Sequence, residues 1–369
     1  MPLTGLYVPK DVQSTLKTYD QEFLCCNICG HGQLRNIIDP EILYDETYTH
    51  RSSESPISIS GNDFFFRYIN SNVKDNEYKS LLEVGCNDLI LIKQTQHLAE
   101  EVTGVDPIWI GKDFQYNKKT NIKGAFINEL SKSGDFKNPP DLILSAHTFE
   151  HIPYTYDNFK MLCDISAEEC RFIIELPCFD TMVNIGRFDQ VFHQHLQYIS
   201  LSSMIHLINR LGCEYIDHKF NYDYWGGTLL FIFDKKKSKQ KTSNPNFSKQ
   251  ETSRVLEGFK QFKASLLQAK SFCEMVEEPV YGFGAAQMLP VIAHHMDSDL
   301  TFLEGILDDN PDRAGTFLPN ISAPIIPTSQ AKNIEDSVVM ITALDSARSI
   351  LRRILDLSPR RILNPLNLF

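Results

Sequence analysis

The sequence predicts an α/β protein built on a doubly wound, mainly parallel sheet. Short apolar runs (YKSLLEV, EEVTGV, PPDLILSA, CRFIIELP) recur with helix-length intervals between them. Runs spaced in this way fold as right-handed β-α-β units, with helices covering both faces of the sheet. The first two runs lead into GCND and DP, a glycine turn and an acid at strand ends. Length is the third observation, because 369 residues exceed one ordinary core. Chains of this size divide into units of roughly 100–200 residues.

The elements follow in order. Residues 1–60 are polar, with a cysteine cluster and the turn-rich SSESPISISGND, and are expected to form a small entry module. The helical pattern FFFRYINSNV then leads into a main domain over 61–240, whose sheet is expected to finish with GGTLLFIFD at 226–234. KKKSKQKTSNPNFSKQE reads as a solvated linker before a long amphipathic helix at about 250–277. A smaller Rossmann-like unit over 241–369 follows, with VYGFGAAQMLPVI, FLEGILDDNP, SVVMITAL and RRILNPL as strands spaced by helices.

Composition narrows the function. With 42% apolar and 22% charged residues the chain can bury a large core, and disorder is not indicated. The formal charge of −11 opposes attraction to nucleic acid or anionic lipid. No apolar run approaches the ~18–20 residues that span a bilayer, and MPLTGLYVPK lacks the plan of a signal peptide, so a cytoplasmic protein, monomeric or homodimeric, is expected. Nine mostly isolated cysteines suit a reducing compartment, and Cys25, Cys26 and Cys29 alone cluster.

The segment LLEVGCND at 81–88 carries the main chemical signal. Gly85 ends a buried strand, where a missing side chain lets a ligand approach the backbone. Asp106 comes 21 residues later, at the end of the next strand, where a carboxylate accepts both ribose hydroxyls. A dinucleotide site would want the fuller G-x-G-x-x-G, and Glu83 and Asp88 would repel a pyrophosphate. The same carboxylates favour the sulfonium and amino groups of S-adenosylmethionine, with Asn87 and His147 expected on the cofactor side. A plain strand turn is the other reading. FHQHLQY around His193 and His195 reads either as a half-buried turn or as a proton-handling site. Glu150 reads as a site carboxylate or a helix-entry residue, and Tyr198 as core or pocket wall.

Several blocks together resemble the sugar C-methyltransferases that act on carbon 3 of nucleotide-linked 4-keto-6-deoxy sugars. They are CNICGHGQL, DPEILYDETYTHRSS, LEVGCND, HTFEHI, ELPCFDTMVNIGRFDQVFHQHLQYIS, WGGTL, YGFGAA and ILDDNPDRAGTFLP, and they span nearly the whole chain. The resemblance implies a small zinc-binding module, a class I methyltransferase domain and a Rossmann-like C-terminal domain, with a nucleotide-linked keto-sugar as substrate. The family's Y-H-E-H signature falls on Phe192, His193, Gln194 and His195, which implies His195 as the base. It further implies a cofactor-side histidine at His151 and a substrate-side tyrosine at Tyr48. Phe192, His193 and Tyr198 are expected at the sugar, and Gly282 and Gly284 at its nucleotide. Asp308 or Asp309 is a further candidate for a ribose.

The chain departs from the family pattern at defined points. Phe192 lacks the tyrosine hydroxyl, and Gln194 lacks the glutamate charge. Leu89 stands where the turn has glycine, at a place that disfavours a leucine. Gln287 and Met288 stand where relatives often carry a lysine. The metal set has Cys26 and Cys29 with Cys25 and His31 nearby but no first cysteine pair, so the chain is expected to begin inside the module. These departures open two alternatives: methyl transfer to oxygen or nitrogen of a related sugar, or a non-catalytic nucleotide-sugar binder with a decayed cofactor turn.

Overall fold

The computed structural model describes residues 1–43, 56–75, 77–130, 135–236 and 249–366, so Tyr48 and most of the linker lie outside the described residues. Near the N-terminus, β1 (Phe23–Cys25) and β2 (Gly32–Leu34) form an antiparallel pair. The main sheet follows with β3 (Tyr78–Val84), β4 (Ala99–Val105), β5 (Phe114–Asn117), β6 (Thr120–Lys123), β7 (Leu142–Ala146) and β8 (Arg171–Pro177). After the short β9 (Gln197–Tyr198), β10 (Glu214–Asn221) and β11 (Thr228–Asp234) complete it. Its order is β10-β11-β8-β7-β3-β4-β6-β5, with β11 antiparallel to both neighbours and β5 antiparallel to β6 at the opposite edge. The expected strands are present, and FQYN and TNIK form an additional hairpin.

Alternation along the strands sends side chains to two cores. Leu82, Val84, Ile143, Phe172 and Ile174 face the helices Thr155–Ile165 and Leu201–Leu211, which present Phe159, Leu162, Met204 and Ile208. Leu81, Leu142, Leu144 and Ile173 face helices Pro56–Asn72 and Ile90–Thr95, which present Phe65, Ile69, Leu91 and Ile92. Strand β3 has a parallel neighbour on each side, β4 and β7, so the connections leave it in opposite directions. The crevice at its carboxyl end is the place where open α/β sheets bind ligands.

A second sheet uses β12 (Val280–Phe283), β13 (Leu303–Leu307), β14 (Ile325–Ile326), β15 (Val338–Ile341) and β16 (Arg361–Leu363), all parallel, in the order β14-β13-β12-β15-β16. The helix Lys249–Met275 lies between the sheets, with Phe262 and Leu266 in one core with Met182 and Phe188 on one side and Leu289 and Ile292 on the other. Arg187 ties them further: nearly buried, it donates to Asp189 at 2.8 Å and to Asp345 at 2.7 Å.

Strand β9, which follows the histidine run, adds to β2 and completes the N-terminal sheet. No helix among the described residues is long and apolar enough to cross a membrane.

Phe172 stacks on Phe233 at 4.5 Å, and both are fully buried. Phe172→Ala is expected to cost about 3–5 kcal/mol through lost contacts and a cavity. In urea unfolding the midpoint should fall with the slope unchanged.

Candidate active site

At the end of β3, Gly85 has φ 79°, and a Cβ there would lie 1.9 Å from Thr148 Oγ1. The turn therefore accepts only glycine. Asp106 fastens it from β4: one carboxylate oxygen accepts from Asn87 N at 2.9 Å and the other from Ile108 N at 3.0 Å. Trp109 Nε1 adds a bond to the Asn87 carbonyl at 2.8 Å. Leu89 does adopt the left-handed conformation, with φ 68°, and its side chain is buried in the core beneath. The backbone cost of about 1–2 kcal/mol is of the size that burying a leucine offsets.

Glu83 lies under this turn, almost wholly buried. Burial first, and then the nearby Asp106 and Asp88, push its carboxyl well above the usual range. Acidic groups packed so closely favour a cationic ligand. Glu83, Gly85, Asn87, Asp106 and His147 all line one cavity of ≈ 1540 Å³, whereas Asp88 is not among its lining residues. Ile108, Ile110, Phe126 and Ile127 form an apolar wall of that cavity, suited to a nucleobase face. Nothing in the pattern of the polar β6 hairpin pointed to this wall.

The histidines meet on the same cavity. His147 follows β7 with φ 50°, its Nδ1 is 3.3 Å from Glu150 Oε1, and its ring lies 4.1 Å from that of Trp225. His151 Nδ1 donates to the Gln194 carbonyl at 2.8 Å, which in the neutral ring leaves Nε2 with the lone pair. The His151 and His195 rings are 4.9 Å apart, and Phe192 packs on His195 at 4.2 Å. Burial, with His151 and His147 adding, depresses His195 to about 3, while Glu150 opposes. Burial works against the Glu150 carboxylate, but His147, His151 and His195 hold it at about 2. His147 is disfavoured by burial yet raised overall, chiefly by Glu150.

Other expected residues sit elsewhere. His193 turns away from the cavity: its Nε2 donates to Met1 O at 3.1 Å and its Nδ1 accepts from Gln21 Nε2 at 3.1 Å. The Gln194 side chain lines the cavity, but its oxygen accepts from Thr4 Oγ1 at 2.6 Å. Tyr198 stands behind the loop, its hydroxyl accepting from Phe192 N and donating to Gln190 O. Gly282 and Gly284 are not among the lining residues of the cavity. Beside them Asp308 accepts from Ala285 N at 2.9 Å and pairs with Arg313 at 3.1 Å, while Asp309 pairs with Arg353. The second domain reaches the cavity instead through Gln287, Met288, Pro319 and Asp345, of which the fold-dependent Asp345 had no sequence signal.

The cysteine module does not fit a structural zinc. His31 Nε2 lies 2.7 Å from Gln197 Oε1, and burial pushes the Cys25 thiol up to about 11. Among the described residues, Cys26 and Cys29 do not converge with a third ligand, and Glu150, His151 and His195 are the group that does.

Two outcomes follow for the site. Gly85→Ala should abolish binding of S-adenosylhomocysteine in calorimetry while leaving the circular dichroism spectrum unchanged. For stability, the unfolded chain takes up a proton at His195 between pH 6.5 and about 3 that the folded chain refuses, so stability falls as pH drops through this window. His195→Gln should lessen the loss between pH 7.5 and 5 by on the order of 1–2 kcal/mol, read by urea unfolding.

Two stretches of the chain match known protein families. Residues 62–218 match a methyltransferase domain family, and residues 223–359 match the C-methyltransferase C-terminal domain. The chain is 22% identical over 233 residues to the C-methyltransferase NovU of Streptomyces niveus, covering 62% of this chain and 55% of that protein. It thus spans about half the length of that curated relative. Among solved structures, YcgJ of Bacillus subtilis is similar with a TM-score of 0.38 and 10% identity, over 48% of this chain and 100% of that one. The N-methyltransferase NodS of Bradyrhizobium japonicum is similar with a TM-score of 0.36 and 14% identity, over 53% and 92%. By these two matches, residues 62–218 form a methyltransferase domain and residues 223–359 a C-terminal domain of the kind found in C-methyltransferases.

Proposed function

We propose that the chain methylates a carbon next to the ketone of a nucleotide-linked deoxy sugar. The observation that carries this reading is the meeting of the glycine turn, the His151–His195 pair and residues of the second domain on one cavity. Its volume of ≈ 1540 Å³ exceeds the ~300–1,000 Å³ of single small-ligand pockets, which supports a methyl donor and a large acceptor bound together. In this reading the unit over 61–240 takes the donor and the unit over 241–369 takes the acceptor's nucleotide.

Bound S-adenosylmethionine supplies an electrophilic methyl group on a cationic sulfur. The chain's own residues supply the rest. A carbon beside a ketone becomes nucleophilic only when its proton leaves, and His195, neutral above about pH 3, accepts that proton. The negative Glu150 stabilises the resulting imidazolium. Phe192 packs on the His195 ring and fixes its plane. His151, fastened at Nδ1, meets the enolate oxygen as a donor when protonated at Nε2. With labelled donor and a 4-keto nucleotide sugar, His195→Ala should lower kcat by about 10²–10⁴. Binding of S-adenosylhomocysteine should persist. Equal turnover by both proteins would remove His195 from the role of base.

One observation favours a second reading, methyl transfer to oxygen or nitrogen. The strongly depressed His195 is a weak base, and Gln194 spends its side chain on Thr4, so an acceptor already carrying a lone pair would need less help. Product NMR separates the two. The carbon reading requires a methyl-bearing carbon with no proton, and an O- or N-methyl signal would overturn it.

A further inference from the structure

The Glu150 carboxylate raises a question that base chemistry leaves unanswered. Its side chain is only 3% exposed, and neither oxygen has a well-formed hydrogen bond among the described residues. A buried carboxylate in that condition depends on positive charge nearby rather than on hydrogen bonds. His147 Nδ1 at 3.3 Å faces one oxygen, and His151 Nε2 at 3.8 Å faces the same one. One ligand atom each from Glu150, His151 and His195 lies within 4.8 Å of the other two.

We propose that Glu150, His151 and His195 form a binding site for a divalent transition-metal ion of the zinc and cobalt class. Two imidazoles and a carboxylate are a donor set such ions take, with a remaining position open to water or a ligand oxygen. The second shell is in place: His151 donates its other ring nitrogen to the Gln194 carbonyl, which aims the lone pair of Nε2 inward. Bonds of about 2.0–2.2 Å set ligand atoms roughly 3–3.5 Å apart, so side-chain movements on the order of 1 Å close the site. All three residues line the large cavity, which gives an ion its entry path. An ion on His195 occupies the lone pair that would take the substrate's proton, so ion and acceptor exclude each other. This second consequence rests on His195 being the base, whereas ion binding does not.

Cobalt(II) titration followed by visible absorption tests the site in the whole chain carrying Cys25→Ser, Cys26→Ser and Cys29→Ser, which removes the clustered thiols. One equivalent should develop intense d–d bands without a thiolate charge-transfer band, and zinc(II) should bleach them. Glu150→Gln and, separately, His195→Ala should each weaken cobalt binding at least about tenfold. Circular dichroism must show both variants folded, and His151→Ala replaces either that is not. Bands no stronger than aqueous cobalt, or affinities unmoved in folded variants, would overturn the proposal. Methyl transfer that zinc does not inhibit, with cobalt bound as described, would count against His195 as base and leave the metal site standing.

Discussion

The hydrogen bond from His151 Nδ1 to the Gln194 carbonyl is the contact on which the rest of the site depends. It joins the turn after β7 to the loop before β9, and a second bond, from Leu196 N to Glu150 O at 2.6 Å, laces the same two segments. Together they bring His151 and His195 face to edge and set which nitrogen of His151 looks into the cavity. The proposed base catalysis uses that orientation, and so does the proposed ion site. A loop held by its backbone on both sides positions side chains more firmly than side-chain contacts alone, because the ladder leaves it few alternative registers.

The electrostatics around this lacing are mutually balanced rather than individually favourable. Glu150 raises His147 against its burial, His147 and its neighbours hold Glu150 ionised, and burial with the neighbouring histidines depresses His195. Groups whose environments push their titrations apart are the usual basis for dividing acid and base roles. A separate acidic group, Glu83 with Asp106, lines the same cavity, and Asp88 adds its charge nearby. The cavity thus carries two differently tuned regions, which the proposed function assigns to a positively charged donor and to a proton.

Much of the fold was legible in the sequence because β3, β4, β7, β8 and β11 are apolar enough to announce themselves, and because Gly85 and Asp106 sit at strand ends whose spacing has a mechanical reason. Leu89 was legible as a conflict, and burial resolves it without changing the turn. What stayed hidden depends on pairing between distant segments. The β5–β6 hairpin is polar, so no periodicity marks it. His193 matched a motif, yet its ring is claimed by Met1 and Gln21, which local reading cannot foresee. Asp345 enters the cavity because Arg187 and Gln190 hold it there from another domain.

Strand β9 pairs with β2 across more than a hundred intervening residues, and this has a kinetic meaning. A two-stranded hairpin is marginal by itself in water. During synthesis at about 5–20 residues per second, β1 and β2 wait roughly 10–30 s for the strand that completes them. The histidine loop immediately precedes that strand, so its final shape is set only when the two ends of this long excursion meet. The His195 loop therefore takes its shape well after the N-terminal strands are made, and those strands act as a scaffold laid down in advance for a loop not yet made.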